Sequence, residues 1–119
     1  MSSSRVYNKR MVVYEVNLSI DREIEREYRS WLDDHVQRIL ALPGFTGARL
    51  YRRDPAAEEA GADDGRVHLT VQYALVDRAA LAAYLEHHAP ALRRDGLDRF
   101  SGRSDASRRV LDEERVYRA

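Results

Sequence analysis

The chain has 119 residues and a mass of 13.7 kDa, enough for one compact domain and too little for two. Its 44% hydrophobic content allows an ordinary core, and the lack of any cysteine excludes disulfides, thiolate zinc sites and cysteine nucleophiles. Twenty basic residues balance twenty acidic ones, so the net charge is zero and gives no electrostatic footprint for nucleic acid or an anionic membrane.

Residues 1–10 lack the apolar run of a secretory signal, and no later stretch approaches the ~20 apolar residues that span a bilayer. A cytoplasmic protein is expected. Ser2, Ser3 and Ser4, followed by Arg5, Asn8, Lys9 and Arg10, read as a flexible lead, with residues 11–119 as a single domain. Over residues 11–20, Val12, Tyr14, Val16, Leu18 and Ile20 alternate with Val13, Glu15, Asn17 and Ser19, the period of a strand with one strongly apolar face. Asp21 then precedes Ile24, Tyr28, Trp31, Leu32, His35, Val36 and Ile39, spaced three and four apart, which predicts a capped amphipathic helix. Pro43 and Gly44 stop it, and residues 45–53 follow as a second strand. Residues 54–65 are dominated by Pro, Ala, Gly, Glu and Asp and read as a mobile hairpin loop.

Val67, Leu69, Val71, Tyr73 and Leu75 alternate with His68, Thr70, Gln72 and Ala74 in a third strand. Asp77 caps a second helix with Leu81, Tyr84, Leu85 and His88 along its inner stripe. Pro90 opens a short further turn through Leu92 and Asp95, which Gly96 ends. Residues 106–117 supply a weaker fourth strand. The order βαββαβ predicts an α+β ferredoxin-like sandwich, an antiparallel four-stranded sheet with two main helices on one face. With the apolar face under the helices, Val13, Glu15, Asn17, His68, Thr70 and Gln72 fall on the open side. That mixture is too apolar for bulk solvent and too polar for a private core, so two sheets facing each other would bury it.

The segments Val12-Val13-Tyr14-Glu15-Val16-Asn17, Trp31-Leu32-Asp33-Asp34-His35-Val36, Phe45-Thr46-Gly47-Ala48-Arg49-Leu50, Val71-Gln72-Tyr73 and Ala89-Pro90-Ala91-Leu92-Arg93 occur in an order that carries a resemblance. The chain resembles a small bacterial family of unknown function within the dimeric α/β barrel superfamily, over residues 11 to about 117. The most specific pieces are the Trp31 to His35 segment, Val71-Gln72-Tyr73 and Gly96-Leu97-Asp98-Arg99-Phe100. The resemblance implies ferredoxin-like protomers paired sheet to sheet. Relatives include cofactor-free antibiotic-biosynthesis monooxygenases, haem-degrading enzymes, muconolactone isomerase-like enzymes and stress-responsive barrels. Haem-degrading relatives use an Asn on the first strand, a Trp near the third and a His on the second helix. Asn17 and His88 match two of these, but Trp31 sits on the first helix, so those roles are not carried over and no cofactor is expected.

Among the residues themselves, His35 lies four residues from both Trp31 and Ile39, in the middle of the inward stripe. Burial favours its neutral form, which serves either as a general base beside a substrate or as a core histidine bonded to a neighbour. Trp31, Tyr14, Tyr28, Tyr73 and Tyr84 either line an aromatic pocket, with His88 as a further ligand contact, or fill a plain core. Glu15 and Asn17, opposite Gln72 and His68, form a polar patch in a barrel lumen or a hydrogen-bond network between two copies. His87 and His88 point about 100° apart on a helix and cannot chelate one ion together, so no metal site is expected. Arg49, Arg52, Arg53, Arg93 and Arg94 either hold an anion or face water. Asp33-Asp34 and Asp63-Asp64-Gly65 lack the spacing of a calcium loop or a carboxylate pair. The open sheet face lacks the stacking aromatics of an RNA-recognition module.

Three functions follow as expectations. The first is a small homodimeric protein holding a hydrophobic or aromatic metabolite between sheet and helices. The second is a cofactor-free monooxygenase or isomerase with His35 as base, and the third a structural dimer without ligand.

Overall fold

The computed structural model describes residues 10–58, 61 and 63–119. The expected lead therefore lies, apart from Arg10, outside the described residues, as do residues 59, 60 and 62 of the expected loop. Four strands, β1 (Val12–Ile20), β2 (Phe45–Arg52), β3 (Val67–Leu75) and β4 (Ser104–Asp112), form one antiparallel sheet in the order β2-β3-β1-β4. Three helices cover one face: α1 (Glu25–Leu40), α2 (Arg78–His87) and α3 (Ala89–Phe100). This is the ferredoxin-like α+β arrangement, with the second helix of the pattern split in two.

The central strands β1 and β3 follow from their alternation. Val12, Tyr14, Leu18 and Ile20 of β1, with Leu69, Val71, Tyr73 and Leu75 of β3, are all buried against the helices. They meet Tyr28, Leu32 and Ile39 of α1, Leu81 and Tyr84 of α2 and Phe100 of α3 in one continuous core. The caps act where local chemistry demands them. Asp77 accepts from the Ala80 backbone N–H at 2.9 Å and opens α2. Asp21 accepts from the Glu23 N–H at 3.0 Å, but it opens a 3₁₀ turn, Arg22–Ile24, that feeds into α1. At the other end of α1, Gly44 has φ 89°, and a Cβ there would collide with the Ala80 Cβ. Only glycine supplies both that turn and the close approach of the α1–β2 connection to α2.

Two expectations change. Gly96 does not end a short turn, because α3 runs on for 12 residues to Phe100. A Cβ on Gly96 would sit 2.9 Å from the Trp31 Cη2, so this glycine admits a neighbouring ring and does not stop a helix. The fourth strand spans Ser104–Asp112, starting two residues before and ending five residues before the predicted 106–117. Its partner sets the limit, since Asp112 pairs with Val12 and the Glu113 N–H reaches Met11 in the last bond of that ladder. The loop after β2 holds a 3₁₀ turn, Pro55–Ala57, and Arg53 donates to Glu58 across it at 2.6 Å.

Candidate functional site

Helices and sheet do not close completely, and a cavity of about 320 Å³ lies between them. Tyr14, Val16, Val71 and Tyr73 form its floor, α1 contributes Trp31, Leu32 and His35, and α3 contributes Leu92, Arg93 and Gly96. Its β4 side carries Ser104, Ala106 and Arg108. Exposed Leu97 and Arg108 mark the opening between α3 and β4.

Trp31 is the best-fixed wall. Its indole Nε1 donates to the Asp95 carboxylate at 2.8 Å, and Gly96 makes room for the ring. Asp95 also accepts from Arg38 and Arg99, each at 3.2 Å, and these bonds hold its carboxyl below the usual range, that from Trp31 first. His35 stacks on the indole with ring centroids 4.5 Å apart and planes 23° from parallel. Burial, helped by the charges of Arg38 and Arg108 and opposed by Asp95, lowers the imidazole to about 4, so His35 is neutral at physiological pH. Its Nδ1 is buried and has no hydrogen-bond partner among the described residues.

Arg93 occupies the opposite wall. Its Nη2 donates to the Tyr14 hydroxyl at 2.8 Å, while its Nε is buried without a partner. Tyr14 accepts that bond, which leaves its own proton available for donation. Deeper in, Tyr14 lies 6.1 Å from Tyr73 and 5.8 Å from Tyr84 between ring centroids. Burial raises Tyr84 and Tyr28 to about 12 and lifts Tyr73 further, so these phenols stay protonated. The cavity is therefore apolar and aromatic, with a few hydrogen-bonding groups whose capacity is unfilled.

The sequence placed Tyr14, Trp31, His35, Tyr73 and Tyr84 on inward stripes, and the structure brings all five to this cavity. His88 is not with them. It occupies the break between α2 and α3, with φ −126° and ψ −38°, outside the cavity lining. Of the candidate anion-holding arginines, Arg93 alone reaches the cavity. Arg49, Arg52, Arg53 and Arg94 are exposed, Arg53 being paired with Glu58. Arg108 went unnoticed because β4 carries too few apolar residues for its inward positions to show.

The open face is organised differently. Glu15 and Gln72 are register partners, as are Asn17 and Thr70. Gln72 donates to Glu15 at 2.9 Å, Asn17 donates to the other Glu15 oxygen at 3.0 Å, and Thr70 donates to Asn17 at 2.7 Å. Arg109 of β4, opposite Glu15, closes the network with two bonds to that carboxylate. The arginine bond is the largest influence holding Glu15 at about 2, against the opposing effect of burial. One chain completes this network without a second copy. His68 does not join it and instead bonds Asp64 at 2.8 Å, beside the β2–β3 loop. Asn17, Trp31 and His88 thus lie on the open face, α1 and the α2–α3 junction, and do not meet at one site. Among the described residues no group of three or more His, Asp or Glu is arranged to hold a metal ion, and no helix is long and apolar enough to cross a membrane.

No curated protein sequence matches the chain. Solved structures do. A Deinococcus radiodurans protein assigned as an antibiotic biosynthesis monooxygenase superposes with a TM-score of 0.68 at 14% identity, covering 91% of this chain and 97% of its own. Rv0793 from Mycobacterium tuberculosis gives 0.62 at 19% identity, covering 89% and 97%. SnoaB, a cofactor-independent oxygenase from Streptomyces nogalater, gives 0.58 at 18% identity, covering 88% and 95%. At such identities the likeness carries the fold and leaves the chemistry to the site. A family model matches residues 11–114, nearly the whole chain, and the protein accordingly belongs to the family described as a domain of unknown function, DUF4286.

Proposed function

We propose that this protein is a cytoplasmic homodimer that binds a small hydrophobic or aromatic molecule in the cavity between sheet and helices. One observation carries the reading: His35 and Arg93 line the same apolar cavity, and each has a buried nitrogen, Nδ1 and Nε, with no partner among the described residues. Leaving such groups unpaired in a core costs about 1–3 kcal/mol each, so they are expected where a ligand completes them. The aromatic walls suit a flat body, and the volume suits a small metabolite.

The homodimer reading rests on the open sheet face. Val13 is only half-buried there, and Tyr51 and Leu111, which share that face, are 43% and 36% exposed. Pairing two such faces covers these apolar groups around the internally satisfied Glu15 network. The absence of cysteine suits a reducing compartment.

A second reading, a cofactor-free monooxygenase or isomerase with His35 as general base, is supported by the neutral imidazole beside the cavity. SnoaB, described as a cofactor-independent oxygenase, shares the fold. Binding ranks first on chemical grounds. A base whose conjugate acid sits at about 4 has little driving force at neutral pH until a bound group raises it.

The test is a thermal-shift screen of flat aromatic metabolites, followed by oxygen-consumption and isomerisation assays on those that bind. A ligand at a hundred times its Kd adds about 2.7 kcal/mol of stability, and His35→Ala is expected to reduce that gain. If no aromatic compound stabilises the protein, the binding reading fails. Light scattering at micromolar concentration decides the dimer, with Leu111→Glu expected to yield monomer.

A further inference from the structure

Building on the ligand-binding reading, we infer that the molecule held in the cavity is an anion, a carboxylate or phenolate on a flat apolar body, received by Arg93 together with the Tyr14 hydroxyl. The argument begins with charge. A guanidinium is always protonated, and a partly buried one is normally matched by a carboxylate. Arg93 has no ion pair among the described residues; its one hydrogen bond there goes to a tyrosine hydroxyl and not to a carboxylate. Arg108, at the β4 side of the same cavity, also has no ion pair among them.

The acids near enough to serve are engaged elsewhere. Asp105 lines the β4 side but binds Arg66 at 2.8 Å, and Asp95 is occupied by Trp31, Arg38 and Arg99. The cavity thus carries the partly buried Arg93 charge with no ion pair among the described residues, with Arg108 exposed at its mouth, and its one lining carboxylate is already matched. The donors have the matching polarity. Arg93 Nε–H has no partner among the described residues, and Tyr14, which accepts from Arg93 Nη2, has a hydroxyl proton to give. Both present hydrogen to an oxygen, and an oxyanion uses both while neutralising the guanidinium. A neutral ligand would fill the volume and leave the charge unmatched.

The probes are three isosteric pairs, benzoate and benzamide, indole-3-acetate and indole-3-acetamide, and 2-naphthoate and 2-naphthamide, titrated calorimetrically against the full chain. The carboxylate of at least one pair is expected to bind tenfold or more tighter than its amide, and that advantage is expected to shrink as salt rises. Arg93→Met should bring the two members within about twofold by weakening the carboxylate alone, and Arg93→Lys should keep part of the preference. Equal binding of both members in the parent protein overturns the anion inference and leaves the cavity reading standing. Failure of all six probes to bind overturns both. A preference that survives in Arg93→Met overturns the assignment to Arg93. If that variant does not fold, the parent comparison and its salt dependence still decide.

Discussion

The two faces of this sheet treat buried polar groups in opposite ways. On the open face Glu15 is 3% exposed, yet its carboxylate is met by Arg109, Asn17 and Gln72 from the same chain. On the covered face the His35 imidazole and the Arg93 guanidinium each keep a buried nitrogen without partner among the described residues, beside a cavity that packing has not filled. A polar cluster that one chain completes holds strands in register. On the proposed reading, a cluster left incomplete in an apolar hollow sacrifices stability for a guest. Both clusters sit on or beside β1, so neighbouring residues of one strand serve separate ends according to which way they point.

The largest way to break this contrast is to remove Glu15. Glu15→Ala leaves the Gln72 and Asn17 amides and Arg109 without their acceptor. It should cost about 3 kcal/mol in urea unfolding, near the low end for a broken buried pair because Arg109 is solvent-facing. Ligand affinity at the other face should not change.

The pH dependence separates the faces next. His35 is depressed from 6.5 to about 4 in the fold, so below pH 6.5 the unfolded chain takes up a proton that the native chain refuses. Stability is therefore complete above pH 6.5 and falls as the pH drops toward 4, by about 2 kcal/mol after allowance for the partial exposure of the ring. His35→Leu should flatten that interval while changing neutral-pH stability little. Glu15 acts lower. Its carboxyl is depressed from 4.5 to about 2, so its contribution is present above pH 4.5 and lost as the pH falls through 2. Arg109→Ala should reduce that second loss and leave the first intact, as read by denaturant titrations at stepped pH.

Smaller effects sharpen the picture. Trp31→Phe keeps most of the wall but deletes the donor to Asp95, and should cost about 1 kcal/mol with a modest loss of ligand affinity. Arg78→Ala breaks a pair with Asp112 in which both side chains are about half exposed to screening solvent, and should leave the urea midpoint almost unchanged.

How much of this could be read from the sequence depended on burial pattern. β1 and β3 are central strands with one face under helices, so their alternation was plain and their inward residues were placed correctly. Asp77 showed as a cap because its side chain acts on a neighbour three residues away. The inward course of His35 followed from its spacing to Trp31 and Ile39. β4 is an edge strand with little apolar content, and its ends are set by where β1 runs out. Its register was therefore hidden, and with it the meeting of Arg109 and Glu15, 94 positions apart. Gly96 misled for a related reason. A glycine that ends a helix and one that admits a tryptophan ring look alike until the ring is seen. The aromatic stripe announced an apolar region, but whether such residues pack solid or leave a hollow depends on volumes summed over three elements, which spacing does not encode.

The central claim is that the covered face is reserved for a ligand and the open face for the fold, and one pair of variants tests it most directly. Thermal unfolding of the parent, Glu15→Gln and His35→Leu would be followed with and without saturating 2-naphthoate. The account predicts that Glu15→Gln melts lower but keeps the full ligand-induced gain, whereas His35→Leu melts near the parent and loses most of it. A Glu15→Gln protein that no longer responds to the ligand, or a His35→Leu protein that responds in full, would contradict the division of labour between the faces.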